Sequence, residues 1–322
     1  MHYSIRHLTK FRYSAPISES VMEVRMQPRT EGGQHCIWFD LVVKPRTSLT
    51  SYRDQLGNLI HHFDVPSHHT NLAIKAEAVV EIAPVVLPES LPPDAWSELD
   101  ALVADGDYWE MLMPSRFAAP TAALRKLARE LNVCRRDDPL SLLRELTARL
   151  RDAFEYAPQS TEVDSPIDLA LKERRGVCQD FAHIMTAMAR ELRIPCRYVS
   201  GYLFHGVEDQ DRSAADATHA WVEARLPGLG WVGFDPTNNL IVGERHIRVA
   251  IGRDYGDVPP TRGVFKGKAK SELSVAVKVL PSKAPLPEDK LPMEANWLVA
   301  DRGEAEESDF EQQRRQQQQQ QQ

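Results

Sequence analysis

Alternation of apolar and polar positions dominates the first 82 residues. A period of two is typical of strands with one buried face, and Gly57-Asn58 marks a turn between two such runs. The pattern predicts an antiparallel β-sandwich over residues 1–83. Its clearest run has an apolar or small residue at every second position, at Leu72, Ile74, Ala76, Ala78, Val80 and Ile82.

The next segment, residues 84–120, has a different character. Proline fixes its own φ and lacks a backbone N–H, so repeated prolines interrupt regular elements. We therefore expect a linker or an extended crossing segment. Its six prolines are Pro84, Pro88, Pro92, Pro93, Pro114 and Pro120.

Helical spacing of apolar residues begins after this segment. Leu124, Leu127 and Leu131 mark one helix. Asp138-Pro139 is a helix start signal, with a capping aspartate before a proline in the first turn, and Ser165-Pro166 repeats it. A further buried helix is predicted to start at Cys178 and to end before Pro195.

Strand patterns return after residue 196. Segments 197–203, 219–226 and 231–234 read as strands, and Pro227 to Gly230 forms a hairpin turn between the last two. Further strand-like segments continue to residue 280. We expect an α+β catalytic core over residues 121–280. Residues 281–322 are acidic and glutamine-rich, and this composition predicts a disordered tail.

Charge and composition exclude several classes of protein. The net charge is −7, of which the nine acidic and five basic residues of the tail contribute −4, so residues 1–280 carry only −3. The sequence contains no basic stripe of the kind that binds nucleic acid. It also contains no run of about 18 apolar residues, the length that a membrane span needs. The four cysteines include no C-x-x-C pair, and no export signal is visible. We expect reduced thiols in a cytoplasmic protein that needs no cofactor or metal.

Three residues carry the candidate chemistry. Cys178 follows a glycine-containing loop at the start of a buried helix, where unpaired N–H groups and the helix dipole favour a thiolate. A nucleophilic cysteine needs a histidine held by a third polar group. His219 begins one strand of the predicted hairpin and Asp235 ends the other. A bulge or slight stagger would bring these two side chains together, as in a hydrolase triad.

The segments around these residues resemble a known family. Gly176-Val-Cys-Gln-Asp-Phe-Ala, Thr218-His-Ala-Trp-Val-Glu and Trp231-Val-Gly-Phe-Asp-Pro-Thr are similar to the three motifs of the transglutaminase-like superfamily. The segments 3–13 and 252–260 are similar to a bacterial subgroup with an N-terminal β-domain. The resemblance implies a papain-like α+β fold and a triad of Cys178, His219 and Asp235.

The resemblance also implies the reaction. A triad of this kind supports acyl transfer through a thioester, on a peptide or protein substrate. Gln179-Asp180 stands where the calcium-dependent animal enzymes have a tryptophan after the nucleophile, and no long acidic calcium loop is visible, so we favour hydrolysis. Protein-glutamine transamidation and a non-catalytic interaction module stay open as alternatives.

Two further residues are candidates for binding substrate or the oxyanion. Tyr156 lies upstream of the nucleophile, where superfamily members place an aromatic or polar group, and Gln179 directly follows Cys178. A core position is an equal alternative for Tyr156. The β-domain histidines, His61, His62, His68 and His69, raise a metal-hydrolase alternative. They lack carboxylates or cysteines at ligand spacing, so we expect ordinary strand and loop histidines.

Overall fold

The computed structural model describes residues 1–158, 160–162, 165–206 and 209–282. The predicted disordered tail lies outside the described residues from position 283 onward. The first strands are β1 His2–Ile17, β2 Glu19–Val24, β3 Gln34–Lys44, β4 Thr50–Arg53, β5 Leu59–Val65 and β6 His69–Ile82. The helices are α1 Ala95–Ala104, α2 Trp109–Leu112, α3 Ala122–Glu130, α4 Pro139–Ala153, α5 Ile167–Glu173 and α6 Cys178–Glu191. The later strands are β7 Glu155–Tyr156, β8 Arg175–Gly176, β9 Cys196–Leu203, β10 His219–Leu226, β11 Gly230–Asp235, β12 Leu240–Ile241, β13 His246–Gly252, β14 Thr261–Lys266 and β15 Ser271–Pro281.

Two four-stranded antiparallel sheets form the N-terminal β-domain. Their strand orders are β15-β1-β6-β3 and β14-β2-β5-β4. The alternation of residues 72–82 turns one side chain in two inward, and each apolar or small residue of that run is at most 4% exposed. The predicted sandwich is confirmed.

The last two strands belong to these N-terminal sheets. In β14, Thr261 pairs with Val24 of β2, and in β15, Ser271 pairs with Tyr13 of β1. Their strand pattern alone places them in the predicted catalytic core of residues 121–280. The chain instead returns after the core to extend both sheets, which satisfies backbone groups along one side of β1 and β2.

The proline-rich segment contains helices that the sequence analysis did not predict. Ala95, Leu99 and Val103 are spaced four residues apart and are all buried on one face of α1. Pro93 precedes this helix and Pro114 follows α2, so the prolines flank the helices and do not interrupt them. The expectation that prolines interrupt regular elements here was wrong for residues 95–104 and 109–112.

The helical core surrounds α6. All but the last of its 14 residues are buried, since α3, α4 and α5 pack on one side and β9 and β10 on the other. The predicted start of α4 is confirmed, because the Asp138 carboxylate accepts the N–H groups of Leu140 and Ser141. Helix α5 begins one residue later than Ser165-Pro166 predicts, with Pro166 at the N-cap position and Ile167 as its first residue. The hydroxyl of Ser165 accepts the N–H of Glu162 and caps no helix.

A five-stranded antiparallel sheet completes the core, in the order β12-β11-β10-β9-β13. The side-chain amide of Asn58, in the β-domain, hydrogen-bonds both the N–H and the carbonyl of Ile251, each at 2.8 Å. The β-domain is therefore joined to the sheet by specific polar contacts. Among the described residues, every helix is too short or too polar to cross a lipid bilayer.

Candidate active site

The thiol of Cys178 lies on the first residue of α6. The preceding loop is held by Asp180, whose carboxylate accepts the backbone N–H of Val177 at 2.8 Å and the hydroxyl of Thr161 at 2.5 Å. A Cβ built on Gly176 would lie 2.7 Å from the same carboxylate, so this position has to lack a side chain. The predicted helix start is confirmed, and its loop is fixed by side-chain packing.

His219 and Asp235 meet across the β10–β11 hairpin. Val222 pairs with Phe234, and continuing that register places Asp235 opposite Trp221. His219 lies two residues before Trp221 on the same strand. The side chains of His219 and Asp235 therefore project from the same face of the sheet, as diagonal neighbours. Nε2 of His219 and Oδ2 of Asp235 are 2.7 Å apart. The stagger expected from the sequence brings the pair together without a bulge between these strands.

Asp235 is fully buried and accepts hydrogen bonds from several directions. Its Oδ1 accepts the backbone N–H groups of Thr237 (3.0 Å) and Asn238 (3.3 Å). Its Oδ2 accepts the Asn238 side-chain amide (2.8 Å) in addition to His219. Nε2 of His246 also lies 3.3 Å from Oδ2. These contacts fix the orientation of the carboxylate and compensate for its burial.

The buried pair favours its charged form. Burial lowers the pKa of His219, but the charge of Asp235 and the hydrogen bond to it outweigh this effect, and Cys178 adds to the rise, so the pKa reaches about 10. Burial raises the pKa of Asp235, but His219 and His246 outweigh it and hold the pKa well below its ordinary value. At neutral pH the favoured state is therefore an imidazolium beside a carboxylate.

The thiol of Cys178 is the second neighbour of the His219 ring. Proximity to Cys178 raises the imidazole pKa. Since Nε2 is bonded to Asp235, Nδ1 is the ring nitrogen that remains for the sulfur. Nδ1 is buried and makes no well-formed hydrogen bond within the described residues. Such loose geometry is common in catalytic pairs before substrate binds.

The other cysteines show what burial alone does to a thiol. Burial raises the pKa of Cys196, on β9, to about 12, and that of the half-buried Cys36 to about 11. Both thiols are therefore protonated at neutral pH. Cys178 is also buried, at 4% exposure, but it combines a helix N-terminus with a charged imidazole. This combination is typical of reactive cysteines.

Tyr156 lies close to the sulfur. Strand β7 pairs in parallel with β8 and sets Tyr156 opposite Gly176, two residues before Cys178. Burial raises the pKa of the phenol and proximity to Cys178 raises it further, although a backbone hydrogen bond with Ala214 opposes both effects. The phenol therefore stays protonated and can donate a hydrogen bond near the sulfur.

Gln179 is buried beside Cys178, with a defined contact of its own. Its side-chain amide donates to the carbonyl of Glu162 at 3.1 Å. This bond ties the start of α6 to residues 160–162. The structure gives Gln179 a part in holding the loop, and its part in oxyanion binding stays a prediction.

A cavity opens next to Tyr156, with a volume of about 530 Å³. Two of its lining side chains are acidic, and the guanidinium of Arg212 donates to the carbonyls of Arg151 and Phe154. Of the candidate site residues, Tyr156 lines this cavity. The lining residues are Asp152, Ala153, Phe154, Glu155, Tyr156 and Arg212.

His246 is the site residue that the sequence analysis did not identify. It begins β13 and pairs with Leu203 of β9, on the opposite side of β9 from the hairpin. Its ring crosses toward Asp235 and packs edge-on against Trp221, with ring centroids 5.2 Å apart. Gly201 makes this possible, because a Cβ there would lie 2.5 Å from the Trp221 ring. No local pattern indicates such a long-range approach.

His219, Asp235 and His246 form a possible metal-ligand set, since their ligand atoms lie within 4.8 Å of one another. Two ligands of one tetrahedral zinc ion would be separated by about 3.3 Å, whereas Nε2 of His219 and Oδ2 of Asp235 are 2.7 Å apart, a hydrogen-bond distance. A metal-binding histidine normally donates its other ring N–H to an acceptor. Nδ1 of His246 has none among the described residues. The set fits a hydrogen-bond cluster better than a resident metal centre.

The β-domain histidines do not converge on a common point. His61 and His62 are neighbours on β5, so their side chains point to opposite faces of the strand. The ring of His61 packs against Phe39, and His69 hydrogen-bonds Ser20 and the carbonyl of Ser67. These positions are those of ordinary strand and loop histidines.

Two family models match the chain. The bacterial transglutaminase-like N-terminal region matches residues 3–81, and the transglutaminase-like superfamily matches residues 125–236. An uncharacterised protein of Mycobacterium leprae (strain TN) is 32% identical over 279 residues, which cover 85% of this chain and 96% of the relative. The chain belongs to the transglutaminase-like superfamily. The resemblance noted from the three motifs is confirmed.

Two further relatives extend the comparison. An uncharacterised protein of Mycobacterium tuberculosis (strain H37Rv) is 32% identical over 302 residues, covering 87% of this chain and 92% of the relative. A protein-glutamine gamma-glutamyltransferase of Pseudomonas aeruginosa is 32% identical over 136 residues, which are 40% of this chain and 20% of that enzyme. That similarity covers only part of either chain.

The fold agrees with this membership. A crystal structure from Cytophaga hutchinsonii, of a protein provisionally described as a cysteine protease, aligns with a TM-score of 0.69 and 23% identity. The alignment covers 88% of this chain and 92% of the other. Both domains therefore follow a fold already seen in a solved structure, and the predicted α+β class is confirmed.

Proposed function

We propose that this protein is a cysteine-dependent acyl-transfer enzyme that hydrolyses peptide or carboxamide bonds through a thioester. One arrangement carries the proposal: the thiol of Cys178 at a helix N-terminus, beside the His219 imidazole, which is hydrogen-bonded to the buried Asp235. Cysteine, histidine and a carboxylate in this order of contact form the functional unit of thiol hydrolases.

The reaction follows from the charge state of the pair. The Cys178 thiolate attacks the carbonyl carbon, a C–S bond forms, and the carbonyl electrons move onto oxygen. When the oxyanion collapses, the C–N bond breaks and the His219 imidazolium gives its proton to the departing amine. A water molecule then attacks the thioester carbonyl while neutral His219 takes its proton and the carbonyl electrons move onto oxygen again. When this second oxyanion collapses, the C–S bond breaks, the carboxylic acid product leaves and the Cys178 thiolate is restored beside the His219 imidazolium. Asp235 keeps the ring oriented throughout through the 2.7 Å hydrogen bond.

The developing oxyanion would be stabilised near the start of α6. Backbone N–H groups in the first helical turn have no intrahelical acceptors, so they can donate to an oxyanion beside Cys178. The protonated phenol of Tyr156 is a further candidate donor, because it lies near the sulfur. Replacing Tyr156 by phenylalanine would test this role.

Transamidation is the second candidate. In that reaction an amine, in place of water, resolves the thioester. Two observations favour it: the partial similarity to a protein-glutamine gamma-glutamyltransferase, and the acidic side chains of Asp152 and Glu155 in the cavity beside Tyr156. Carboxylates in that position would attract a protonated amine.

A single experiment separates these reactions. The protein is incubated with a glutamine-containing peptide and a labelled primary amine. The amine adduct is quantified against the hydrolysis products, which are peptide-bound glutamate from carboxamide hydrolysis and shorter peptides from peptide-bond hydrolysis. We expect more hydrolysis product than adduct. Predominant incorporation of the amine would replace hydrolysis by transamidation, and absence of both products with wild type and Cys178→Ala alike would support a non-catalytic interaction module.

We place the protein in the cytoplasm and expect a peptide or protein substrate without a cofactor. The four cysteines are all free. Free thiols suit a reducing compartment. Fractionation of cells that produce the protein, with detection by antibody, would test the compartment.

A further inference from the structure

His246 shares the carboxylate oxygen that holds His219. Nε2 of His246 lies 3.3 Å from Oδ2 of Asp235, and Nε2 of His219 lies 2.7 Å from the same atom. The three side chains are at most 3% exposed. Burying a second imidazole here costs free energy unless the ring makes a hydrogen bond that compensates for its lost hydration. A purely apolar residue would fill the space beside Trp221 at lower cost.

The protonation state of His246 follows from its surroundings. Burial lowers its pKa and outweighs the opposing effect of Asp235, so the ring is neutral at neutral pH. A neutral imidazole has one N–H, and the ionised carboxylate can only accept. The proton therefore lies on Nε2, where it is donated to Asp235. Nδ1, which has no partner among the described residues, keeps its lone pair.

This donor differs from His219 in one respect. During turnover His219 alternates between imidazolium and neutral imidazole, so its hydrogen bond to Asp235 changes in strength. His246 is neutral and donates to Asp235, so it keeps its proton and holds the carboxylate in place while His219 changes charge. The Trp221 ring, on β10, packs edge-on against the His246 ring, on β13, and fixes its direction.

We propose that His246 is a positioning residue, whose Nε2–H donates to Asp235 and fixes the carboxylate toward His219. The role is positioning and not catalysis, because His246 acts through Asp235 and does not touch the reacting atoms. The inference rests on the proposed function, since it assigns a fourth member to the same site.

The test uses two substitutions that separate hydrogen bonding from packing. His246→Phe keeps a ring against Trp221 and removes the donor, whereas His246→Gln loses the ring and keeps an N–H near the position of Nε2. The measurement is the rate of Cys178 alkylation by iodoacetamide between pH 5 and 9, with each site mapped by mass spectrometry and with thermal unfolding recorded for each variant.

We expect His246→Phe to slow alkylation of Cys178 near pH 6 by about tenfold, the effect of losing one hydrogen bond to a charged group. His246→Gln should recover most of the rate even if it melts at a lower temperature. In an Asp235→Asn background the His246→Phe substitution should have almost no further effect, because the two residues act as one unit. A packing role predicts the reverse order, with Phe close to wild type and Gln impaired.

The alkylation rates distinguish failure of the positioning role of His246 from failure of the proposed enzyme function. If wild-type Cys178 reacts no faster than the other cysteines, the enzyme assignment falls. If it reacts fast and His246→Phe reacts equally fast, only the positioning role falls. Should His246→Phe fail to fold, ¹⁵N spectra of histidine-labelled wild type decide the point. We expect a neutral His246 with its proton on Nε2, and a proton on Nδ1 would overturn the inference.

Discussion

Two carboxylates on neighbouring strands of the same sheet are completely buried, and they are satisfied in different ways. Glu223 on β10 pairs with Arg197, 2.7 Å away, and with Arg248. Arg197 also reaches Glu31 of the β-domain at 3.0 Å. Asp235 on β11 is instead surrounded by imidazole, amide and backbone N–H groups. Glu223 faces permanent cations, whereas Asp235 faces two imidazoles, which can gain or lose a proton, and neutral N–H donors.

Unpartnered polar atoms mark the same difference. Four buried side-chain atoms around Asp235 have no hydrogen-bond partner among the described residues, whereas no such atom belongs to Glu223 or to the arginines that contact it. A buried network with every group paired is typical of a structural role, and orphaned atoms are typical of functional sites. The four atoms are Nδ1 of His219, Nε1 of Trp221, Oγ1 of Thr237 and Nδ1 of His246.

The largest expected effect on activity comes from removing the base. His219→Ala should lower the rate of peptide or amide turnover by about 10⁴–10⁶-fold, the loss typical of removing a triad member. The melting temperature should change far less. His7, a fully buried histidine of the β-domain bonded to Tyr202, provides the control. If His7→Gln lost as much turnover per folded molecule as His219→Ala, the effect of His219→Ala would not be specific to the candidate active site.

The largest expected effect on stability comes from the other carboxylate. Glu223→Gln should lower the free energy of unfolding by about 3–5 kcal/mol, because two arginines are left facing a neutral group. The measurement is urea denaturation, together with the alkylation rate of Cys178 in the folded fraction, which should be preserved. Glu130→Gln, at the exposed pair with Arg174, is the matched control and should cost at most about 1 kcal/mol. Slow alkylation in folded Glu223→Gln would show that both carboxylates serve the site.

The pH dependence of stability sharpens the comparison. The folded-state pKa of His219 is raised to about 10. Its stabilising contribution is therefore complete below the unfolded value of about 6.5 and is lost as the pH rises through 10. Wild type should lose more unfolding free energy than Asp235→Asn between pH 6.5 and 10. Parallel curves for the two proteins, measured by denaturation at each pH, would show that the pair is not charged in the folded state.

The smallest expected effect tests the loop before the nucleophile. Gly176→Ala places a Cβ against Asp180, and relieving that contact should cost about 1–3 kcal/mol and slow alkylation of Cys178. Gly243→Ala is the matched control, since the nearest atom to its Cβ would be 3.9 Å away. If both variants unfold at the same denaturant concentration, the loop is more adaptable than the packing around Asp180 indicates.

Local sequence signals predicted much of the site. The helix start at Cys178 and the hairpin that joins His219 to Asp235 depend on residues close together in the chain, so their spacing could be read directly. His246 depends on the path of residues 236–245 and on the absence of a side chain at Gly201, which no periodicity reveals. Strands β14 and β15 pair with partners roughly 240–280 residues away, and such pairing has no local signature.

The most direct test of the account is site-mapped alkylation of the wild-type protein by iodoacetamide at pH 6. Cys178 should react faster than the exposed Cys134, although it is buried, and His219→Ala should remove this advantage. Cys36 and Cys196 should react slowest, because burial raises the pKa of both thiols. If Cys134 reacts fastest and His219→Ala leaves the rate at Cys178 unchanged, no activated thiolate exists at the start of α6.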